Sequence, residues 1–229
     1  MSKLLILTGW PTDEAKKIEV VDLQNPLNSC SLPEEFPTRL STAVGGFTSD
    51  GPLLCSGYNW DTDSRSNACF TLKNSKFTEV EVKLQTERDS ASAVVLPNGE
   101  LWIQGGWDGN ANRLSTTETI SLEGSQTGME LEKGIIAHCS MMINGTTAFI
   151  TGGYIGSTTT KDTYFVDIHN WKWTKGPQME ERRAYHGCEV FMHNNHNYAL
   201  VAGGYNSDVL SSTEILDLDS GILEWTKGK

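Results

Sequence analysis

The chain has 229 residues, with 29 acidic and 18 basic side chains, so its formal net charge at pH 7 is −11. This acidic balance argues against binding to nucleic acid or to an anionic membrane surface, because both require basic patches. The sequence contains no apolar run of 18 residues, so it predicts no transmembrane helix. A single domain covering residues 1–229 is the natural unit at this length.

Five predicted strands end in glycine at a nearly constant spacing, and this spacing is the strongest signal in the sequence. The last glycines of these strand ends are Gly9, Gly57, Gly106, Gly153 and Gly204. The steps between them are 48, 49, 47 and 51 residues. A period near 50 residues, with strands that end in glycine, predicts a repeated β-sheet unit.

The other strands of each unit alternate apolar and polar residues, as half-buried strands do. Four units are predicted to hold four strands each, and the first unit holds three: Leu4–Leu7, Ile18–Leu23 and a short strand near Ser29–Leu32. Turn signals at Pro97-Asn98-Gly99 and at Asn144-Gly145 predict hairpins between the first two strands of their units.

The segment PQMEERRAYHG (Pro177–Gly187), followed by VAGGY (Val201–Tyr205) and by Trp225, resembles the kelch repeat family. The resemblance covers nearly the whole chain. It implies an all-β, kelch-type β-propeller with five blades of four antiparallel strands, in which the first blade lacks its innermost strand. It also implies a non-enzymatic module that binds a protein or peptide, with no catalytic residue and no cofactor.

The missing innermost strand predicts an open seam in the first blade. Backbone groups of Leu4–Leu7 or of Lys16–Leu23 that face the axis would lack partners, and unpaired strand edges promote association. The chain is therefore either a piece of a longer propeller or a ring with one three-stranded blade, and it is expected to associate with itself through this seam.

The loop face is defined here as the loops that follow the glycine ends, together with the segments that lead into the innermost strands. Trp60 is the predicted anchor for a partner, because a tryptophan at a loop tip between charged residues is poorly explained as core. The other candidate partner-binding residues are charged, namely Asp61, Asp63, Asp108 and Asp208 in an acidic rim, Arg65 and Arg113 between them, and Arg39, Arg88 and Arg183 before innermost strands. Such arginines either bind carboxylates or connect blades.

The aromatic residues directly after each glycine end recur in every unit. They are Trp10, Tyr58, Trp107, Tyr154 and Tyr205. Because a specific site should break the repeat, this recurrence predicts packing for them.

An alternative function is small-molecule or glycan binding, or a metal-dependent, oxidase-like activity, near the propeller axis. It rests on His138 and His186, which have Cys139 and Tyr185 as sequence neighbours. Further tyrosine ligands and a surrounding catalytic domain are missing from this pattern, so no metal-binding residue is predicted. The second histidine pair, His193 and His196, lies at the tip of a predicted hairpin.

The five cysteines leave at least one thiol unpaired within the chain. Cys139 and Cys188 occupy near-equivalent places on the innermost strands of neighbouring units, either as free buried thiols or as a disulfide. Cys55 and Cys69 face each other across one hairpin. The chain as written is expected to be cytoplasmic; paired cysteines, or an N-terminal signal in a longer protein, would favour an extracellular location.

Overall fold

The computed structural model describes residues 3–7, 16–22, 30–31, 35–110 and 113–228. These residues form antiparallel strands, turns and loops and no helix, which confirms the all-β prediction. Accordingly, no helix capable of crossing a membrane occurs in this part of the chain.

The first third of the chain forms two successive sheets. The first sheet has the order β1-β2-β3, and its strands are β1 (Lys3–Leu7), β2 (Ile18–Asp22) and β3 (Cys30–Ser31). The next strands are β4 (Leu40–Ser41), β5 (Val44–Thr48), β6 (Gly51–Cys55), β7 (Tyr58–Asn59), β8 (Ser64–Arg65), β9 (Cys69–Lys73) and β10 (Lys76–Glu79). Of these, β5-β6-β9-β10 form the second sheet, and β4-β7-β8 form a small sheet above it.

Three further four-stranded sheets follow, each in the same order along the chain. The third sheet consists of β11 (Ser92–Val95), β12 (Leu101–Gln104), β13 (Thr117–Ser121) and β14 (Gly124–Thr127). The fourth consists of β15 (Cys139–Met142), β16 (Thr147–Thr151), β19 (Thr163–Asp167) and β20 (Lys172–Lys175), with the hairpin β17 (Tyr154–Ile155) and β18 (Thr158–Thr159). The fifth consists of β21 (Gly187–His193), β22 (His196–Ala202), β25 (Thr213–Asp217) and β26 (Trp225–Lys227), with the hairpin β23 (Tyr205–Asn206) and β24 (Asp208–Val209).

The strands predicted for the first sheet agree with the structure. Three strands pair there in the order β1-β2-β3, and β2 has a neighbour on each side. Among the described residues, β1 and β3 are therefore the edge strands of this sheet, and β2 is not. The predicted hairpins at Asn98-Gly99 and Asn144-Gly145 also connect paired strands.

Sequence patterns missed some strands. The third sheet has an outer strand, Gly124–Thr127, which is built from polar residues and glycine and shows no apolar alternation. The loops after the glycine ends contain short hairpins, such as Tyr154–Ile155 with Thr158–Thr159, which the sequence patterns did not predict. Backbone pairing with neighbouring segments, and not residue type, produces these strands.

Four hydrophobic cores join the sheets in series. Ile18 packs with Phe36, Phe70 and Phe77 between the first and second sheets. The remaining cores lie between successive sheets, centred on Leu53 with Ile103, on Trp102 with Ile150, and on Phe149 with Leu216. The innermost strands β5, β11, β15 and β21 are neighbours in that order. Successive sheets that pack face to face around their first strands form a propeller-like arrangement.

The two cysteine pairs form disulfides of different kinds. Cys55 and Cys69 lie opposite each other on β6 and β9 of one sheet. Cys139 and Cys188 connect the innermost strands of the fourth and fifth sheets. The places of these two cysteines are near-equivalent but differ by one residue in register. Cys139 pairs with Thr151, which directly precedes the glycine doublet of the fourth sheet, whereas Cys188 pairs with Val201, which lies two residues before the glycine doublet of the fifth sheet. This offset makes them face each other, since successive residues of a strand point to opposite faces.

Candidate ligand-binding face

In each of the last four sheets, the glycine end places one aromatic residue beside the start of the innermost strand. Trp10, the aromatic residue of the first unit, lies outside the described residues. The backbone of Trp107 pairs with that of Asp89, and Tyr154 pairs with Ile136 in the same way. Gly106 has φ of +102°, and a Cβ there would lie 2.8 Å from the carbonyl oxygen of Asp89. Only glycine allows this approach. The pairings Ser41 with Tyr58 and Ala184 with Tyr205 complete the set on the loop face.

Trp60 is held by its own hairpin. Its indole Nε1 donates a hydrogen bond to Ser41 Oγ at 2.9 Å, and its ring packs edge-on against Tyr58 at 4.8 Å between centroids. The residue is half-buried. The expected loop-tip anchor is therefore mainly a packing residue of the small sheet above the second sheet, with part of its surface left for contact.

Arg39 and Asp61 bind each other. Arg39 donates from Nε to Asp61 at 2.6 Å and from its backbone N–H at 3.0 Å, and the Thr38 hydroxyl donates to the same carboxylate at 2.9 Å. The backbone and side chain of Arg39, together with Thr38, lower the pKa of Asp61 to about 2. Asp61 is thus occupied internally and is not a free member of an acidic rim.

Arg65 lies between the second and third sheets. Its Nε donates to Asp89 Oδ2 at 2.9 Å, and its guanidinium carbon lies 4.6 Å from the centre of the Trp107 ring and 5.1 Å from that of Tyr58. The Tyr58 hydroxyl in turn donates to Asp63. Both charges of Arg65 and Asp89 are satisfied, and the Trp107 ring is stacked on a cation.

The remaining acidic candidates, Asp63, Asp108 and Asp208, differ in exposure. Asp108 is half-buried and accepts the backbone N–H of Asn110 at 2.8 Å, which fixes the loop after Trp107. Asp63 and Asp208 are exposed. The structure therefore leaves Asp63, Asp108 and Asp208 at the surface as the acidic part of the loop face.

Arg88 and Arg183 are occupied by hydrogen bonds within their own sheets. Both side chains are fully buried. Arg88 donates to Glu118 at 2.6 Å and to the Gly105 carbonyl at 2.7 Å. Arg183 donates to Glu214 at 2.7 Å and to the Gly203 carbonyl at the same distance. Each arginine ties the segment before the innermost strand to the third strand of the same sheet.

Arg39 does not belong to this set. Ser41 pairs with Tyr58 as Asp89 pairs with Trp107, so Leu40, and not Arg39, occupies the place of Arg88. In the fourth sheet the same two places are held by Ile135 and Tyr164. The buried ion pair is therefore replaced by apolar packing in two of the four sheets.

Among the described residues of this face, Tyr185 is the most exposed aromatic residue, and sequence reasoning missed it as a binding residue. It is 57% exposed, and its ring lies 6.1 Å from that of Tyr154. Burial, followed by the hydroxyls of Tyr185 and Tyr205, raises the pKa of Tyr154, while Arg113 acts in the opposite direction. These four side chains therefore form one cluster. Thr42, Ser90 and Ala137 hold the same positive φ as Tyr185, so a large ring replaces small residues at a repeated position.

His138 and His186 lie below this cluster and pack between sheets. Burial lowers the pKa of both side chains to about 3, so both are neutral near pH 7. His186 Nε2 contacts Thr151 Oγ1 at 2.9 Å, and neither ring nitrogen of His138 has a hydrogen-bond partner among the described residues. In the part of the chain that the structure describes, no three His, Cys, Asp or Glu side chains form a group that could hold a metal ion.

Comparison with known proteins gives a match in shape alone. No protein-family model matches the sequence, and no curated protein matches it. The fold is similar to the solved structure of YjhT, with a TM-score of 0.76 over 98% of this chain and 81% of that chain. Sequence identity over this match is 11%, so the likeness concerns the fold.

Proposed function

We propose that the chain is a kelch-type β-propeller of five blades, in which the first blade has three strands. Five successive antiparallel sheets, with four cores between them, support this count. The repeated positive φ at Thr42, Ser90, Ala137 and Tyr185, between +52° and +54°, supports one repeat unit for the last four blades. Small-angle scattering is expected to give a compact radius of gyration of about 17 Å. A clearly larger value for the monomer would contradict a ring.

We propose further that the loop face binds a protein or peptide and that the chain is not an enzyme. The observation that carries this proposal is the group of exposed aromatic rings on one face. Tyr185 is 57% exposed, Tyr205 40% and Trp107 37%. Aromatic and arginine side chains dominate binding energy in protein interfaces, because they bury a large area at a low cost in conformational entropy.

The acidic residues Asp63 and Asp208 lie at the exposed margin of this face, and Arg113 lies within it. A partner that carries both basic and acidic groups around an apolar centre fits this arrangement. Trp60 and Arg39 hold the loop after Tyr58 in place, through the contacts of Trp60 with Ser41 and Tyr58 and the hydrogen bond from Arg39 to Asp61.

Selection from a random peptide library displayed on phage tests the proposal. Peptides that bind the folded chain are measured against Tyr185→Ala and against Met192→Ala, which removes a side chain that is also exposed, on the β21–β22 hairpin. Loss of a central aromatic contact should cost about 2 kcal/mol, which is roughly a thirty-fold loss of affinity. The control should bind as the wild type does.

Two results would overturn the proposal. One is a selection that yields no binder to the folded chain. The other is a set of peptides whose affinity is the same for Tyr185→Ala, Trp107→Ala and the wild type.

A further inference from the structure

Equivalent side chains connect neighbouring sheets on the loop face. In the hairpins after the glycine ends, Arg65 pairs with Tyr58, Arg113 pairs with Trp107, and Thr159 pairs with Tyr154. Arg65, Arg113 and Thr159 thus hold one position of the repeat. Each lies at the boundary with the following sheet, so three seams between sheets can be compared.

The seam between the second and third sheets is closed. Asp89 lies at the start of the third sheet and accepts from Arg65 at 2.9 Å. Gly109, two residues after Trp107, covers the arginine, since a Cβ there would lie 3.0 Å from Arg65 Cδ and 3.2 Å from its Nη1. The guanidinium of Arg65 is therefore bound by the carboxylate of Asp89, stacked on the ring of Trp107 and covered by the loop that contains Gly109.

The seam between the fourth and fifth sheets is closed as well, by neutral groups. The Thr159 hydroxyl donates to Asn206 Oδ1 at 2.7 Å. Thr159 is buried in this contact. Asn206 follows Tyr205 directly, so this bond also joins a hairpin to the hairpin of the next sheet.

The seam between the third and fourth sheets has an arginine without a carboxylate. Ile136 pairs with Tyr154 as Asp89 pairs with Trp107. An apolar side chain therefore occupies the place that the carboxylate of Asp89 holds in the seam between the second and third sheets. Arg113 Nε is buried and has no hydrogen-bond partner, and no carboxylate of the described residues lies within 4 Å of this guanidinium.

The same seam is also uncovered. Gly156 follows Tyr154 by two residues, as Gly109 follows Trp107, and a Cβ at Gly156 would meet no atom within 4 Å. Tyr154 and the exposed Tyr185 lie beside the opening. A buried guanidinium N–H that lacks a partner is costly, and a carboxylate is the group that matches the geometry of a guanidinium with two parallel hydrogen bonds.

We propose that Arg113 binds a carboxylate group of the ligand, as Arg65 binds Asp89, on the side of its guanidinium that Gly156 leaves uncovered, with Tyr154 and Tyr185 contacting the adjoining part of the ligand. This inference rests on the proposed function and names the chemistry of the ligand: a peptide with an acidic group, from an Asp or Glu side chain or from a C-terminus. The molecule is acidic overall, so this site selects an acid by local geometry rather than by net charge.

The test follows the arginine Nε–H signals of the full chain by NMR during titration with three small probes. N-acetyl-aspartate N-methylamide presents a side-chain carboxylate, N-acetylglycine presents a terminal carboxylate, and N-acetyl-asparagine N-methylamide is the neutral match of the first. The Arg113 signal is expected to shift in a saturable manner with at least one acid and not with the neutral probe. The Arg65 signal, whose carboxylate is already in place, should stay unchanged.

Two variants complete the test. Ile136→Asp supplies Arg113 with an internal carboxylate, and Arg113→Gln removes the charge without burying a new one. Both should weaken binding of the acidic probe by roughly ten-fold or more, because a hydrogen bond to a charged group is lost. The Arg113 signal of Ile136→Asp should lie near that of Arg65 before any probe is added.

The outcomes separate this inference from the proposed function. An Arg113 signal that does not shift with either acid, or an Arg65 signal that shifts equally, overturns the carboxylate site even if selected peptides bind the loop face. A saturable shift at Arg113 supports the site even if the peptide selection fails.

Discussion

The fourth and fifth sheets share one repeat unit but differ in how their second strands are buried. Phe149 of β16 and Leu200 of β22 hold equivalent places, three residues before the second-last glycine of their strand ends. Phe149 is fully buried against the fifth sheet, whereas Leu200 is half-exposed. On the same open face, Phe191 of β21 is 38% exposed. The comparison teaches that a strand's burial is decided by its neighbour, because both strands are similarly apolar.

The two sheets also differ in their polar interior. The fifth sheet has the buried pair Arg183 and Glu214, and the fourth has Ile135 and Tyr164 in the same places. The fifth sheet therefore contains a buried ion pair within itself, as the third sheet does with Arg88 and Glu118, whereas the fourth sheet has an isoleucine and a tyrosine at these places.

The largest expected effect comes from the equivalent pair Phe149 and Leu200. Phe149→Ala should lower the free energy of unfolding by about 3–5 kcal/mol, since it leaves a cavity between two sheets. Leu200→Ala should lower it by only about 1 kcal/mol, because less apolar area leaves contact. Urea unfolding measures both values. Equal losses would contradict an open face on the fifth sheet.

The buried ion pair should give an effect of similar or slightly smaller size. Arg183→Met leaves Glu214 buried without its cation, so a loss of about 3 kcal/mol is expected. The double variant Arg183→Ile/Glu214→Tyr copies the fourth sheet. The double variant should lose less stability than the sum of the losses of Arg183→Ile and of Glu214→Tyr, with a coupling of about 1–3 kcal/mol in a double-mutant cycle. Additive losses would show that the pair acts as two separate side chains.

The disulfide between Cys139 and Cys188 holds the fifth sheet to the fourth across 49 residues of sequence. Cys139→Ser/Cys188→Ser should lose about 2–4 kcal/mol of stability, because the unfolded chain regains loop freedom. Either single substitution should give the same loss in the absence of other thiols. An unchanged unfolding midpoint would mean that packing alone fixes the two sheets.

Acid should weaken the seams that contain His138 and His186. Their pKa in the folded protein is about 3, below the unfolded value near 6.5, so the unfolded chain binds more protons between these values. Stability is therefore complete above pH 6.5 and falls as the pH drops towards 3, by roughly 1.4 kcal/mol per pH unit for each histidine.

Alanine already occupies the place of His138 in the second and third sheets, at Ala43 and Ala91. His138→Ala should therefore remove about half of the slope that the two histidines contribute between pH 6 and 4, as followed by thermal unfolding. A variant with the wild-type slope would show that His138 is not buried as a neutral ring.

The smallest effect on stability is expected at the open face. Phe191→Ser should change the free energy of unfolding by less than about 0.5 kcal/mol, as for most exposed positions. If the chain associates with itself through the incomplete first sheet and this face, the variant should lower the mass measured by light scattering. A wild-type chain that stays monomeric at high concentration would refute self-association there.

Most of the β-sheet units could be recognised from the sequence, because strand alternation and turn residues act locally. The glycine ends at Gly57, Gly106, Gly153 and Gly204, the three strands of the first sheet and the hairpins at Asn98-Gly99 and Asn144-Gly145 are examples. The strand Gly124–Thr127 escaped recognition, since it is defined by its pairing with β13 and carries no apolar pattern.

The roles of single side chains on the loop face depended on contacts between distant segments. Arg88 and Arg183 resemble surface arginines in sequence, and only the approach of Glu118 and Glu214 from the third strand of each sheet buries them. One feature of the sequence could have indicated Tyr185 as a binding residue. It is a large aromatic residue at a place of the repeat where the other units have Thr42, Ser90 and Ala137.

The sequence by itself determined the repeat, the strands and the positions of the turns, because these follow from periodicity and backbone preference within about ten residues. The tertiary structure alone decided which faces meet. A shift of one residue in a strand reverses the direction of a side chain, which is why Cys139 and Cys188 face each other. It also decided that Arg65 meets Asp89 while the equivalent Arg113 meets Ile136, because a charge finds its partner only after two sheets have packed.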